Sequence, residues 1–252
     1  MLFSPLEQFQ VIPLLPVHIG KLDFSITNYS LITILFCGIF ITYLYILLDR
    51  KNKSLFLIPN RWQAIIEMIY KVMISMVSDN VGPKGEKYFP FIFTLFVFVL
   101  LSNLIGLVPY SFTLTSHLIV TFALAMIVFI SVNIAGARIH GLKMFSLFLP
   151  AGTTFPLSLL LVPIEFVSYM FKPISLSVRL FANLMAGHTL LKVIAGFGWA
   201  LMGCTGALFL AHYVPLAVLF PLFGLELAVA LIQAYVFSIL SCIYLNDAIS
   251  LH

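Results

Sequence analysis

The chain has 252 residues, of which 62% are hydrophobic and only 9% are charged, and its formal net charge is +4. A typical soluble domain is about 45–50% apolar and about 25% charged, so this composition excludes a water-soluble globular protein and a disordered one. Its 13 Lys and Arg residues are too few to cover a basic face for nucleic acid. The composition therefore indicates a polytopic membrane protein.

Three uncharged stretches are long enough to cross an apolar core about 30 Å thick as helices. They cover residues 29–48, 88–108 and 117–136. Between the first and the second, residues 61–79 interleave charged with aliphatic side chains. This pattern predicts an amphipathic helix that lies on the membrane surface.

Basic residues around these spans predict the orientation of the chain, because Lys and Arg are concentrated in loops on the cytoplasmic side. Lys21 precedes the first span. Nine basic residues lie after the first span, before the second or after the third: Arg50, Lys51, Lys53, Arg61, Lys71, Lys84, Lys87, Arg138 and Lys143. If these nine lie inside, the N-terminus faces the lumen, the intermembrane space or the periplasm.

From residue 144 onward the sequence forms two long hydrophobic blocks, roughly 155–200 and 205–246, with a glycine-dense turn between them. Hydropathy alone would divide the blocks into four short spans. Six charged residues occur in this part: Glu165, Lys172, Arg179, Lys192, Glu226 and Asp247. A charge at mid-bilayer costs at least about 2.5–3.5 kcal/mol, and such residues usually line a water-filled path or face a partner.

Arg179 stands out among these charges because its guanidinium group cannot escape the apolar environment by losing its proton. Residues 175–181 offer no acidic side chain to pair with it. Two interpretations remain open at this point. The side chain either reaches the membrane interface, as long basic side chains do, or is a functional intramembrane charge.

Helical spacing arranges the polar side chains of each block into stripes. At about 100° per residue, Glu165, Lys172 and Arg179 fall on one stripe, which Asn183 rejoins, and His188 lies on nearly the opposite face. In the second block Glu226, Gln233 and Tyr244 share one stripe. Ser241 and Asp247 lie within about 60° of that stripe. Histidines and carboxylates along an apolar route are what a proton relay requires.

The run at residues 175–188, SLSVRLFANLMAGH, closely resembles the signature of the subunit a family of F-type ATP synthases. Residues 4–11, 88–117, 146–157 and 224–252 are similar to the same family, so the resemblance covers nearly the whole chain. It implies an all-α polytopic fold. In that fold the last two blocks are long tilted helices that form a hairpin against a rotating ring of c subunits, and not four upright spans.

The resemblance also implies which side chains face the ring. Arg179 would face the essential carboxylate of the ring, with Asn183 beside it and Gln233 near Arg179 across the hairpin. Protons would then reach and leave the ring through two offset half-channels, and the fixed charge of Arg179 would bar a direct hop between them.

The half-channel residues follow from the same resemblance. His188, Glu226 and Asp247 would belong to the half-channel open to the lumenal side, and Glu165 to the one open to the matrix side. Bacterial members tend to have Glu and His where this chain has His188 and Glu226, so the arrangement here is mitochondrial. The implied location is the mitochondrial inner membrane, with the bacterial plasma membrane as the alternative. The implied partners are the c-ring, b-type peripheral-stalk and other Fo subunits, lipid and protons.

Two other classes of function are compatible with buried charges. A proton-coupled secondary transporter or antiporter-like respiratory subunit predicts internal repeats, and none is visible between the two halves of the chain. A purely structural scaffold would gain nothing from Arg179, Glu165 and Glu226 in lipid. The sequence also has no P-loop, HExxH, GxGxxG or GxSxG motif. We therefore expect no cofactor, no metal site and no covalent catalysis by this chain.

Overall fold

The structure, a computed structural model, describes residues 9–19, 22–48, 61–108, 112–141, 155–203 and 211–250. Within these residues it contains six α-helices: α1 (Asn28–Leu48), α2 (Arg61–Val81), α3 (Phe89–Gly106), α4 (Leu118–His140), α5 (Phe155–Met202) and α6 (Tyr213–Ile249). Before α1, four short strands pair as two antiparallel ribbons: β1 (Pro13–Leu15) with β4 (Ile26–Thr27), and β2 (His18–Ile19) with β3 (Leu22–Asp23).

The prediction of an all-α polytopic membrane protein is confirmed. Among the described residues, four stretches are helical, long and apolar enough to cross a membrane: Gly85–Gly106, Leu118–His140, Leu160–Met202 and Tyr213–Ile249. The first of these begins in a 3₁₀ helix, Pro83–Tyr88, that leads into α3. α1 has 21 residues and so a length of about 31 Å, and its crossing of the membrane stays a prediction.

The last two hydrophobic blocks form two long helices instead of four short ones. α5 has 48 residues and so a length of about 72 Å, more than twice the thickness of the apolar core. A helix of this length must tilt steeply to stay in a bilayer. Residues 205–210 of the second predicted block lie outside the described residues, and α6 begins at Tyr213.

α6 lies at the centre of the bundle, in contact with α2, α3, α4 and α5. Small side chains on α6 allow this close packing, because Ala230 and Ala234 are 0% exposed. α5 contributes Leu176 and Leu180, one turn apart and both buried. The opposite face of α5 is consequently turned away from the bundle.

α2 also buries one face in the bundle. Met73, Met76 and Val77 are buried, whereas Met68 and Val72 on its other side are exposed. The helix contacts α6 and α3 through its buried face. Its position on the membrane surface stays a prediction.

We expect Ala234→Leu to destabilise the bundle by about 1–3 kcal/mol, because the added atoms have no room in a fully packed contact. The measurement is the amount of subunit retained in membranes and the melting temperature of the detergent-solubilised complex. Ala217→Leu, on an exposed part of the same helix, is the matched control. Equal losses in the two variants would contradict the packing described here.

Candidate functional site

His188 on α5 and Glu226 on α6 face each other inside the bundle. The Nδ1 atom of His188 lies 3.2 Å from the Oε1 atom of Glu226, and the two side chains are 13% and 5% exposed. The structure therefore brings together two titratable groups that the sequence separates by 38 positions. At this distance they form an ion pair whenever the imidazole is protonated and the carboxylate is ionised.

A glycine makes this approach possible. A Cβ atom at Gly187 would lie 2.9 Å from Oε1 of Glu226, closer than real Cβ contacts come. Any larger residue at position 187 would therefore push the carboxylate away from its place beside His188. Gly106 on α3 lies behind the imidazole, where a Cβ atom would be 3.8 Å from Nε2 of His188.

Three of the four polar side-chain atoms of the pair are buried without hydrogen bonds. Among the described residues, neither carboxylate oxygen of Glu226 nor Nε2 of His188 has a partner in hydrogen-bond geometry. Burying a polar group without such a partner costs free energy, so native proteins rarely do it without a functional reason. This arrangement makes the pair a candidate functional site.

Two cavities meet at Glu226. The larger one, of about 1030 Å³, is bounded by α1, α3, α5, α6 and the Phe112–Thr113 segment, and His188, Lys192 and Glu226 line it. The smaller one, of about 310 Å³, is lined by Asn183, Gly187 and apolar residues of α5 and α6, again with Glu226 in its wall. The carboxylate of Glu226 thus stands between a large cavity and a smaller one that extends towards Asn183.

Asn183 and Gln233 form a second polar contact between the long helices. The Nδ2 atom of Asn183 donates a hydrogen bond of 2.9 Å to Oε1 of Gln233. Gln233 is only 4% exposed, and its own Nε2 atom has no partner among the described residues. Arg179 precedes Asn183 by one helical turn, and the closeness of Gln233 to Arg179 stays a prediction.

Arg179 lies on the face of α5 that is turned away from the bundle. Its side chain is exposed, whereas its neighbour Leu180 is fully buried. Tyr244 on α6 is close enough to Arg179 for an electrostatic interaction. The guanidinium group is thus available to a partner outside this chain.

Asp247 lies apart from the His188–Glu226 pair, so the structure does not bring together the three residues that the prediction assigns to one half-channel. Asp247 follows Glu226 by 21 residues on the continuous helix α6, which separates them by about 31 Å. Its Oδ2 atom instead lies 2.9 Å from Nζ of Lys172 on α5. The rings of Tyr169 and Tyr244 flank this lysine, with centroids 5.3 and 5.0 Å from Nζ.

The Lys172–Asp247 pair marks the end of the bundle where α4 ends. Nε2 of His140, the last residue of α4, lies 2.7 Å from the carbonyl oxygen of Ile249 on α6. The hydroxyl of Tyr169 on α5 donates a 2.6 Å hydrogen bond to Oδ1 of Asn133 on α4. His188 lies towards the opposite end, near the segment that joins α3 to α4.

Glu165 lies near the beginning of α5 and is exposed. It precedes Lys172 by seven residues, or about 10 Å along the helix. Among the described residues it has no ion-pair partner. The structure therefore places Glu165 towards the same end as Asp247, without bringing the two side chains into contact.

Several polar contacts were missed by the sequence reasoning. Asn103 on α3 is 0% exposed, donates to the carbonyl oxygen of Ala230 and accepts a hydrogen bond from the Thr115 hydroxyl. The sequence feature that could have pointed to these hydrogen bonds is the presence of one amide side chain, Asn103, in an otherwise apolar span. The partner of Lys172 could have been sought among acidic residues of the facing helix. Lys192 could have been noted as lying one turn beyond His188.

Comparisons with known proteins agree over the whole chain. The family described as ATP synthase A chain matches residues 30–246. Subunit a of the ATP synthase from Pylaiella littoralis is 58% identical over 252 residues, which is 100% of both chains. The Chondrus crispus subunit a is 51% identical and covers 99% of this chain and 97% of its own. The Rhodospirillum rubrum subunit a is 47% identical over 99% of each chain. With a family match over most of its length and such relatives, the chain belongs to the subunit a family of ATP synthases.

Proposed function

We propose that this chain is the static proton-conducting subunit of the Fo sector, serving a rotating ring of c subunits through two offset half-channels. Family membership supports the coarser function, a membrane subunit of the F-type ATP synthase that takes part in proton transport. The observation that carries the finer proposal is the buried His188–Glu226 pair between two cavities. The chain itself makes and breaks no covalent bond in this scheme.

In this proposal the large cavity is the inlet through which protons enter the subunit. A proton that reaches it meets His188 and Glu226 in its wall, and the carboxylate of Glu226 also lines the smaller cavity towards Asn183. From there the proton neutralises a carboxylate of the ring. A neutral carboxyl group can turn into lipid at modest cost, whereas a charged one cannot, so protonation releases the ring to rotate.

Arg179 separates the two half-channels in this proposal. Its side chain lies on the exposed face of α5, where a ring can approach, and its guanidinium stays charged at any physiological pH. It therefore attracts a ring carboxylate that has lost its proton and repels a proton that would cross directly. A proton that crosses the membrane potential releases about 2.3 kcal/mol per 100 mV. A leak past Arg179 would waste this free energy and uncouple proton transport from ATP synthesis.

We assign Asp247 to the outlet, together with Glu165, instead of to the inlet. Two observations support this assignment. Asp247 pairs with Lys172 about 31 Å along α6 from Glu226. The ends of α4 and α6 also meet at His140 and Ile249, next to Arg138, and basic residues there favour the inner side of the membrane.

The orientation and the location follow as parts of the same proposal. The nine basic residues around the first three spans favour an N-terminus in the intermembrane space. The order of His188 and Glu226 favours the mitochondrial inner membrane, and the bacterial relative from Rhodospirillum rubrum keeps the bacterial plasma membrane as the alternative. The proposed partners are the c-ring, b-type peripheral-stalk and other Fo subunits, and lipid.

We expect Arg179→Lys to reduce ATP-driven proton pumping at least tenfold while the complex still assembles. Lysine is a compact charge that can lose its proton in an apolar site, whereas arginine keeps its charge. The measurement is fluorescence quenching in inverted vesicles, with Lys71→Arg on α2 as a control for basic exchange away from the site. Pumping close to the wild-type rate would contradict the role of Arg179 as barrier.

The His188–Glu226 pair gives the test of the proposed inlet. We expect Glu226→Gln to lower proton flux at least tenfold, because it removes the titratable carboxylate from the contact. We expect the same of His188→Glu, because it places two carboxylates side by side where both cannot be ionised. The swap, His188→Glu with Glu226→His, keeps one group of each type and should restore more flux than either single change. The measurement is proton flux in reconstituted vesicles. Wild-type flux in the single variants would contradict the inlet, and a swap no better than the worse single variant would refute a shared role.

A further inference from the structure

We propose that His117 is a positioning residue of the inlet, whose neutral imidazole holds the Phe112 wall of the large cavity against α1 and releases that wall when it gains a proton. This inference rests on the proposed function of the large cavity as the inlet for protons from the lumenal side. It assigns a role to a histidine that lies just before α4 and belongs to neither polar stripe of the long helices.

Three aromatic rings from three segments contact one another beside the large cavity. The rings of Phe112 and His117 are stacked, with centroids 5.1 Å apart and an interplanar angle of 22°. The ring of Tyr29 on α1 meets both of them edge-on, with its centroid 6.0 Å from that of Phe112 and 6.1 Å from that of His117. The imidazole therefore joins the segment before α4 to the first turn of α1.

This ring cluster is continuous with the wall of the large cavity. Phe112 lines that cavity together with Thr113, and so does Asn28, the residue before Tyr29. Phe112 and Thr113 are almost fully buried, at 6% and 5% exposed. A shift of the Phe112 ring would therefore change the shape of the cavity.

Hydrogen bonds hold the two partners of the Phe112 ring in place. The side chain of Asn28, at the start of α1, makes hydrogen bonds of 3.1 and 3.0 Å to the backbone of the segment before β1. The carbonyl oxygen of His117 accepts backbone hydrogen bonds of 3.1 and 3.2 Å from the first turn of α4. Of the three rings in the cluster, the imidazole is the one that can change its charge near neutral pH.

The imidazole suits this contact only while it is neutral. Its Nε2 atom is buried without a hydrogen-bond partner among the described residues. A protonated imidazole carries an N–H group on both ring nitrogens, so Nε2 would become a charged donor without an acceptor. Attraction of the cation to the Phe112 ring offsets only part of this cost. His117 precedes the membrane-spanning stretch Leu118–His140, and burial lowers its pKa below the ordinary value.

The groups around His117 do not compensate a positive charge on it. α1 contributes the phenol of Tyr29, whereas α3 and the first turns of α4 contribute no charged side chain. His188, Lys192 and Glu226 of the long helices line the large cavity, and within the part of the chain that the structure describes none of them forms an ion pair with His117. The wall is thus held at neutral lumenal pH and released as the lumen becomes acidic.

The test is the rate at which a reporter cysteine in the cavity wall, Leu191→Cys, reacts with a membrane-impermeant thiol reagent from the lumenal side. It uses assembled complexes whose three native cysteines are replaced by serine. Each rate is divided by the rate in His117→Phe at the same pH, which keeps a ring in the stack, cannot gain a proton and cancels the pH dependence of the thiol. We expect this ratio to rise at least about threefold between about pH 8 and about pH 5.

Two further variants and a control define the outcomes. His117→Lys, which carries a charge, and Tyr29→Leu, which removes the anchor on α1, should both react fast at either pH. Tyr29→Leu also replaces His117→Phe as the reference if the latter does not assemble. His212→Phe, at a histidine that stacks on Tyr213, should keep the pH dependence of the parent.

A ratio that stays constant with pH would overturn the role of His117. A Tyr29→Leu or His117→Lys variant that reacts as slowly as the parent at about pH 8 would do so too, as would loss of the pH dependence in His212→Phe. Labelling requires no proton transport, so these outcomes do not depend on the inlet itself. Wild-type flux in Glu226→Gln would instead overturn the inlet.

Discussion

The functional part of this protein depends on how two long helices accommodate polar side chains in an apolar membrane. A buried polar group there must be paired, hydrogen-bonded or in contact with water. α5 and α6 meet this requirement with three contacts along their length: Lys172–Asp247, Asn183–Gln233 and His188–Glu226. As the residue number rises on α5 it falls on α6, as expected for antiparallel helices. The polar contacts therefore fix the register of the hairpin.

The three contacts differ in what they leave unsatisfied. The Lys172–Asp247 pair is partly exposed and flanked by two tyrosine rings, so its charges are compensated. The His188–Glu226 pair is buried, three of its polar atoms lack hydrogen bonds among the described residues, and it lies against a cavity of about 1030 Å³. A site that keeps a titratable carboxylate incompletely satisfied is suited to gaining and losing protons. Arg179, on the outer face between the two ends, is the charge that this chain offers to a partner.

Much of this arrangement could be predicted from the sequence, and the reasons are physical. Charge-free stretches indicated membrane helices, and helical spacing placed Asn183 and Gln233 on stripes that the structure joins by a hydrogen bond. Hydropathy alone failed on the last two blocks, because a steeply tilted helix stays apolar for far longer than one upright crossing. That failure was corrected only by resemblance to a known family.

Two features could not be predicted in the same way. Asp247 was grouped with His188 and Glu226 because the resemblance implied roles without distances, whereas a continuous helix keeps it about 31 Å from Glu226. The place of Lys192 in a cavity wall depends on how α1 and α3 pack against α5, and no local sequence pattern encodes that packing. The length of one continuous helix decided the first case, and contacts between distant elements decided the second.

The central claim is that the two ends of the hairpin open to opposite sides of the membrane. Its most direct test is labelling by a membrane-impermeant thiol reagent, in complexes whose Cys37, Cys204 and Cys242 are replaced by serine. Lys192→Cys in the large cavity should react only from the lumenal side, and Lys172→Cys beside Asp247 only from the matrix side. Reaction of both cysteines from the same side would contradict the account.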